Sequence, residues 1–308
     1  MLDAATMGVI RIGTRGSPLA LAQAYETRLR LMQAHGLTES QFEVVVISTT
    51  GDRILNRPLA EIGGKGLFTL EIEEALQAET IDLAVHSMKD MPALLPDGLA
   101  FAANLPREDA RDAFVSLMAK TLNDLPHGAV LGSSSVRRNA QALRIRPDLQ
   151  SVQFRGNVQT RMRKLADGVA MGTFLAVAGL NRLGMSQHIS SIMEMDVMLP
   201  AVAQGAIGIE IKIGNHRAQS LVEAIHHQTT GIAIACERAF LAKLEGSCRT
   251  PIAGHATISG STLSFRGQIL SIDGKQSSEV ALTGPIEDAA KIGNEAAVRA
   301  LAKQSTRA

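Results

Sequence analysis

The sequence predicts an α/β protein: two units of mostly parallel strands alternating with helices, followed by a small α+β tail. Three observations lead there. Short apolar runs are each followed by a polar loop and then a helical pattern, and this unit recurs in two separate stretches. The polar, proline-punctuated stretch 105–112 lies between them and reads as a domain boundary. Over 252–282 the pattern changes to short alternating segments with turns at Ser259-Gly260 and Asp273-Gly274, which reads as an antiparallel meander. The expected domains are 1–106 with 200–224, 107–199, and 225–308.

The elements follow in order. Residues 9–13 read as a strand. Ser17 can cap, and Pro18 can open, the helix that runs to about residue 35. Residues 42–48, rich in valine, read as a second strand. The stretch 49–66 carries Gly51, Pro58 and Gly63-Gly64-Lys65-Gly66; a glycine-rich connection this long is either a surface loop or a lid. A helix over 68–78 and a strand over 81–86 then lead into Ser87-Met88-Lys89-Asp90-Met91-Pro92. The second unit repeats the theme with strands at 129–132, 150–154 and 173–177. These run into Ser133 to Arg138, Arg155-Gly156-Asn157 and Asn181-Arg182, with helices to residue 145 and over 158–166. Residues 201–212 are apolar around Gln204-Gly205 and read as a connection and strand returning to the first domain. A helix over 230–244, the meander and an amphipathic helix over 286–303 complete the chain.

At 308 residues the chain is long enough for two or three domains, each with its own core. A net charge of +1 provides no global basic field, and 3% aromatic residues with no Trp leave little to stack on bases. A nucleic-acid partner is therefore not expected. No apolar run approaches a membrane span, and the start lacks the basic-then-apolar layout of a signal peptide. Two cysteines make no disulfide framework, so the expectation is a cytoplasmic protein with reduced thiols.

Any anion site must then come from local clustering. Four loops after strands place arginine beside Ser, Thr, Gly or Asn: Thr14-Arg15-Gly16-Ser17, Ser133 to Arg138, Arg155-Gly156-Asn157 with Arg161, and Asn181-Arg182. One such arginine is ordinarily a solvated helix start. Four at equivalent positions in two domains point to an anionic ligand between the domains, because guanidinium forks grip carboxylate or phosphate and helix starts add backbone donors. Which anion is left open. Lys89-Asp90 at a strand end is either a surface pair or an acid/base site. The histidines, His86, His226 and His227, show no metal-ligand spacing and read as structural. Gly63-Gly64-Lys65-Gly66 lacks the spacing of a phosphate-binding P-loop, and no dinucleotide fingerprint follows a strand. Cys236 sits at helical spacing with Ile232, Ala239 and Phe240 and reads as a buried apolar residue. Cys248, in Glu245-Gly246-Ser247-Cys248-Arg249, is either a bland exposed thiol or one made reactive by the adjoining cation.

Taken in order, Thr14-Arg15-Gly16-Ser17-Pro18-Leu19-Ala20-Leu21, Gly63-Gly64-Lys65-Gly66-Leu67-Phe68, Val85-His86-Ser87-Met88-Lys89-Asp90, Ser134 to Arg138, Arg155-Gly156-Asn157-Val158 with Thr160-Arg161, Leu199-Pro200-Ala201 with Gln204-Gly205, and Glu245-Gly246-Ser247-Cys248 closely resemble the porphobilinogen deaminase (hydroxymethylbilane synthase) family. The resemblance runs from about Val9 to the final helix. It implies two periplasmic-binding-protein-like doubly wound domains and a third that carries a cofactor cysteine. It also implies a dipyrromethane primer held by a thioether to Cys248, extended by four porphobilinogen units with loss of ammonia at each joining. Hydrolysis then frees the linear tetrapyrrole. In this family picture Cys248 is an anchor that reacts once and not a turnover nucleophile.

The resemblance also assigns roles. Lys89, Ser133, Ser135, Arg137 and Arg138 would hold the primer's carboxylates. Asp52, in the long loop, would join the cofactor-binding set, and that loop would act as a lid with Lys65 and Phe68. Arg15, Ser17, Arg155 and Arg161 would take the incoming or terminal ring, assisted by Arg182 and Gln204. Asp90 would accept pyrrole N–H bonds and stabilise, in a dry cleft, the cation left by deamination. No metal is implied, and a monomer is expected. The chain departs from the family pattern at Ser247, Ser133, Leu70 and Ala170-Met171-Gly172, none of which removes a proposed ligand. Two other readings use the same arginines: a non-catalytic two-domain binder of a carboxylate or phosphate ligand, and an enzyme of phosphorylated substrates. Neither needs Cys248, and the binder does not need Asp90.

Overall fold

A computed structural model describes residues 8–53, 67–245 and 250–305, without the side chains of Asp52, Arg53 and Ser305. The chain gathers into two compact units, Met1–Arg107 with Ala206–Gly231 and Glu108–Gly205 with Ile232–Ala308.

The first unit is built on a five-stranded sheet in the order β2-β1-β3-β10-β4, comprising β1 (Ile10–Thr14), β2 (Phe42–Val46), β3 (Leu83–Ser87), β4 (Leu99–Asn104) and β10 (Ile207–Lys212). β1 pairs in parallel with β2 and β3, whereas β10 runs antiparallel to both β3 and β4. Helices cover both faces. On one, Ala24 and Leu31 of α1 (Pro18–His35) and Leu221 and Val222 of α7 (His216–Glu223) pack on Ile10, Ile12, Leu83, Val85 and Ile209. On the other, Ile72 and Leu76 of α3 (Leu70–Gln77) pack on Ala84 and Leu99. Strand alternation explains this division: Leu83 and Val85 of β3 face α1, and Ala84 and His86 face α3. A short helix, α2 (Thr50–Arg53), precedes α3 and is tied to it, since the Thr50 N–H and hydroxyl donate to Glu71 Oε1 at 2.8 and 2.6 Å.

The second unit repeats the plan, with strand order β7-β6-β8-β5-β9 for β5 (Asp112–Val115), β6 (Val130–Gly132), β7 (Gln150–Val152), β8 (Gly172–Ala176) and β9 (Ser191–Met193). β7, β6 and β8 are parallel and β5 runs against its neighbours. α4 (Val136–Ile145) buries Ala142 on one face against Leu131, Phe114 and Phe174. α5 (Val158–Ala166) and α6 (Val177–Arg182) cover the other with Leu165 and Leu180. The meander, β11 (Ile252–Ser259), β12 (Thr262–Leu270) and β13 (Ser277–Pro285), is antiparallel throughout. Phe265 of β12 meets Phe240 of α8 (Gln228–Lys243) with ring centroids 4.9 Å apart, and α9 (Ala289–Ser305) buries Ala296, Ala297 and Ala300.

The α/β class and the α+β tail are as the sequence predicts. Three details differ. β4, β5 and β9 have no counterpart among the predicted strands. Each five-stranded sheet is mixed, with one strand running against the direction of the other four. Asn181 and Arg182 end the short helix α6 instead of lying in a loop, because the chain turns helical directly after β8. Among the described residues no helix is long and apolar enough to cross a membrane.

Candidate active site

In the first unit the predicted residues gather at the carboxyl ends of β1 and β3, where open α/β sheets present their loops. After β1, Ser17 adopts an extended conformation and its Oγ accepts from the Ala20 N–H at 3.2 Å, capping α1, with Pro18 at the first helical position. This cap sets the direction of the loop, and Arg15 leaves it to stack over the Phe68 ring, 4.3 Å from its centroid. After β3, Met88–Asp90 form a single 3₁₀ turn. The turn is fixed from beneath: the Met88 N–H donates to Ala206 O at 3.0 Å, and the Met88 side chain lies on Gly208, where a Cβ would sit 2.0 Å from its Sδ. Only a residue without a side chain allows β10 to pass there.

Arg15, Ser17, Phe68 and Asp90 line one open cavity, which Gln23, Thr69, His86 and Ser87 also line. Asp90 is exposed at this cavity and Lys89 is half-buried. The dry cleft expected around Asp90 is thus not formed by the described residues. Of the residues expected nearby, Lys65 and the Asp52 side chain lie outside the described residues; the Asp52 backbone belongs to α2.

In the second unit the predicted residues flank the carboxyl ends of the adjacent parallel strands β6, β7 and β8. Ser135 caps α4, and its Oγ accepts from the Arg138 N–H at 3.4 Å. Ser133 is buried, and its Oγ accepts from the Ser135 N–H at 3.2 Å. Asn157 caps α5, accepting from the Thr160 N–H at 2.8 Å, and Arg161 Nε donates to Gly156 O at 2.9 Å. Arg155 is half-buried, with its carbonyl accepting from Lys164 Nζ at 3.0 Å. Arg182 Nη1 donates to Gly205 O at 3.1 Å.

The adjacent Arg137 and Arg138 and the distant Gln204 converge on one carboxylate that sequence reasoning missed. Asp112, the fully buried first residue of β5, accepts at Oδ1 from Arg138 Nε (3.1 Å), Arg138 Nη2 (2.6 Å) and Gln204 Nε2 (2.9 Å). Its Oδ2 lies 2.7 Å from Arg137 Nη2, an ion pair without hydrogen-bond alignment. Burial alone would raise this carboxyl. The charges of both guanidiniums and the hydrogen bonds of Arg138 and Gln204 outweigh it and hold Asp112 well below the usual carboxylate range. Arg137 Nη1 also donates to Leu199 O at 2.8 Å and Arg138 Nη1 to Phe174 O at 2.9 Å.

A second missed carboxylate, Glu237 of α8, is buried and accepts from the N–H groups of Ala203 (2.6 Å) and Ala256 (2.8 Å). It fixes the turn carrying Gln204, in which Ala203 is left-handed (φ 61°) and Gly205 has φ 88°. Glu108 O leaves no room for a Cβ at Gly205.

The histidines have hydrogen-bonding roles. His226 Nδ1 accepts from the Asn104 N–H at 3.0 Å, and His227 Nδ1 pairs with Thr230 Oγ1 at 2.8 Å. His86 Nε2 lies 2.9 Å from Glu210 Oε2, both groups buried. The described residues contain no group of acidic, His or Cys side chains placed to hold a metal. Cys236 is fully buried, and burial pushes its thiol up to about 12. Cys248, with Ser247, lies outside the described residues.

The donor set fits a ligand rich in carboxylates. Two guanidiniums share the single charge of Asp112, leaving that corner of the second unit one positive charge in excess. Arg155, Arg161 and Arg182 lie at the same strand ends.

The chain matches two family models. The one described as porphobilinogen deaminase, dipyromethane cofactor binding domain, covers residues 10–220, and the one for the porphobilinogen deaminase C-terminal domain covers residues 232–302. A curated relative, "Porphobilinogen deaminase" of Paracoccus denitrificans (strain Pd 1222), is 58% identical over 288 residues, 94% of this chain and 92% of the relative. Among solved structures, a periplasmic substrate-binding protein of an ABC transporter from Coxiella burnetii aligns over 75% of this chain and 97% of its own at 15% identity, with a TM-score of 0.43. The periplasmic VFT2 domain of Bordetella pertussis BvgS aligns over 76% and 94% at 15% identity, with a TM-score of 0.42.

Proposed function

We propose, for a chain that belongs to the porphobilinogen deaminase family, a division of its polar residues between primer, incoming ring and reaction centre. The activity is that of the family: a transferase of tetrapyrrole biosynthesis. It joins porphobilinogen units head to tail on a covalently held dipyrromethane, releases ammonia, and frees hydroxymethylbilane by hydrolysis. One observation carries the assignment of the reaction centre: Arg15, Ser17 and Asp90 line a single cavity.

When bound, the dipyrromethane supplies the free pyrrole carbon to which new units are joined. Cys248 anchors it in the tail, 225–308. Arg137 and Arg138, held side by side by Asp112, take the primer's carboxylates with Ser133 and Ser135, and Lys89 and Asp52 belong to the same cofactor-binding set by family match. Arg15 and Ser17 orient the carboxylates of the incoming porphobilinogen. Arg155, Arg161, Arg182 and Gln204 hold the carboxylates that accumulate as the chain grows. Asp90 faces the cation that forms as ammonia leaves, where a fixed carboxylate lowers the barrier electrostatically. Phe68, stacked under Arg15, lines the cavity; Lys65 lies outside the described residues. The protein works as a cytoplasmic monomer.

The test combines intact mass with turnover. Freshly purified protein should exceed its sequence mass by one dipyrromethane and consume porphobilinogen; Cys248→Ala should lose the increment. Asp90→Ala should keep the increment and scarcely turn over. An unmodified mass in active protein would remove the covalent primer, and near-normal turnover of Asp90→Ala would remove Asp90 from the chemistry.

A further inference from the structure

Beneath the cavity lies a cluster of buried titratable groups to which no role is yet assigned. His86 shares its face of β3 with Ala84, and it lines the cavity with Asp90. Nε2 pairs with Glu210 Oε2 at 2.9 Å, and Glu210, on the neighbouring strand β10, is 0% exposed. Glu73, on the first turn of α3, is 4% exposed and interacts with both. Burial and the nearby Glu210 push the Glu73 carboxyl above its usual range, opposed by the Thr69 hydroxyl and His86. With Nε2 paired to the Glu210 side chain, the ring's proton belongs on Nε2, leaving the lone pair on Nδ1. Among the described residues Nδ1 has no hydrogen-bond partner. Glu210 Oε1 and Glu73 Oε1 are also buried without partners, whereas a purely structural network bonds its buried oxygens. An imidazole paired through one nitrogen with a buried acidic side chain, on a residue that lines the cavity, is the arrangement of a positioned base.

We propose, on the reading of the activity given above, that His86 Nδ1 accepts the proton released at each joining, and that Glu210 is the positioning residue that fixes its tautomer. The atoms balance without an oxidant. The aminomethyl C–N bond breaks with its electron pair on ammonia, and a C–C bond forms to the pyrrole carbon. The C–H bond at that carbon breaks, its electrons restoring the ring and its proton passing to Nδ1. The imidazolium then hands this proton to the departing ammonia, which leaves as ammonium, and His86 is neutral for the next unit. Asp90 keeps a separate task as the charge opposite the cation. The titratable and charged groups around His86 are Glu210 from β10 and Glu73 from α3, with Asp90 and Arg15 in the same cavity lining; Thr69, Gln23 and Ser87 are neutral neighbours.

The experiment uses the primer-carrying enzyme with His86→Gln and Glu210→Gln. Both should keep the dipyrromethane mass increment. His86→Gln should lower kcat by about 10²–10⁴-fold, as loss of a general base does, with KM nearly unchanged and the acidic limb of the kcat profile lost. Side-chain ¹⁵N NMR of the wild type should show His86 as the Nε2–H tautomer, a preference that Glu210→Gln removes; this readout stands even where a variant folds poorly. An Nδ1–H tautomer in the wild type, or an active wild type matched by His86→Gln in kcat and pH profile, overturns the proton assignment alone. A wild type that consumes no porphobilinogen overturns the activity reading, and the proposal with it.

Discussion

Replacing Asp112 by Asn keeps the side chain's shape but removes the one acidic charge that, among the described residues, pairs with Arg137 and Arg138. Asp112 is 0% exposed and the two guanidiniums are 5% and 6% exposed, so water cannot screen what is left. Three contacts of 2.6–2.9 Å, from Arg138 Nη2, Arg137 Nη2 and Gln204 Nε2, lose their anion. Breaking a buried ion pair by removing one partner costs about 3–5 kcal/mol, and here two cations are left facing each other. Asp112→Asn should therefore lose about 3–5 kcal/mol in urea unfolding followed by far-UV circular dichroism, measured in a Cys248→Ala background so that primer loading does not vary. Asp112→Asn with Arg138→Met, which removes one of the stranded cations, should recover at least about 1 kcal/mol, because residues of one network are not additive. The pH dependence has a definite sign. The folded-state carboxyl lies below its unfolded value of about 3.9, so its contribution is complete above that pH and disappears as the pH falls toward the folded value. Asp112→Asn should flatten the acid side of the stability profile. A loss below about 1 kcal/mol, or a double variant that is simply additive, would refute the idea that Asp112 holds the pair.

Three further outcomes are expected. With its thiol pushed up to about 12, Cys236 in native Cys248→Ala protein should take up no iodoacetamide near neutral pH and should label fully in guanidinium; native labelling at the rate of a free thiol contradicts its burial. Gly208→Ala drives a methyl into Met88 Sδ and should cost about 1–3 kcal/mol and about 10²-fold in kcat by displacing the Lys89-Asp90 turn, with recovery when Met88→Ala is added. Arg138→Gln should reduce the dipyrromethane mass increment, whereas Arg161→Gln should keep it and slow elongation; identical behaviour would erase the proposed division.

The loops that carry the site were legible because their signals are local. Ser17, Ser135 and Asn157 each cap a helix immediately after a strand, and each accepts a hydrogen bond from three residues on. β4 was not legible: Leu99–Asn104 is alanine-rich, and its place is set by β10, far away in sequence. β5 was hidden because it begins with Asp112 at the end of a charged stretch that reads as a boundary. A buried aspartate is tolerable only beside arginines at positions 137 and 138, and no short window contains both. The same holds for His86, whose partner Glu210 arrives on an antiparallel strand that periodicity cannot orient.

The insertion of β10 between β3 and β4 bears on biosynthesis. β4 pairs only with β10, so when Asn104 leaves the ribosome its strand has no edge to join. About 100 residues must be made before Ile207 appears, roughly 5–20 s at about 5–20 residues per second. Throughout that interval β3 presents an open edge, and His86 waits for the carboxylate of Glu210. The nascent first unit is thus a three-stranded fragment with an exposed margin, the kind of species that chaperones capture. A ribosome-arrested chain ending near residue 110 should be protease-sensitive, and one extended well past Lys212 should be protected, so completion of the first unit is timed by synthesis of the second.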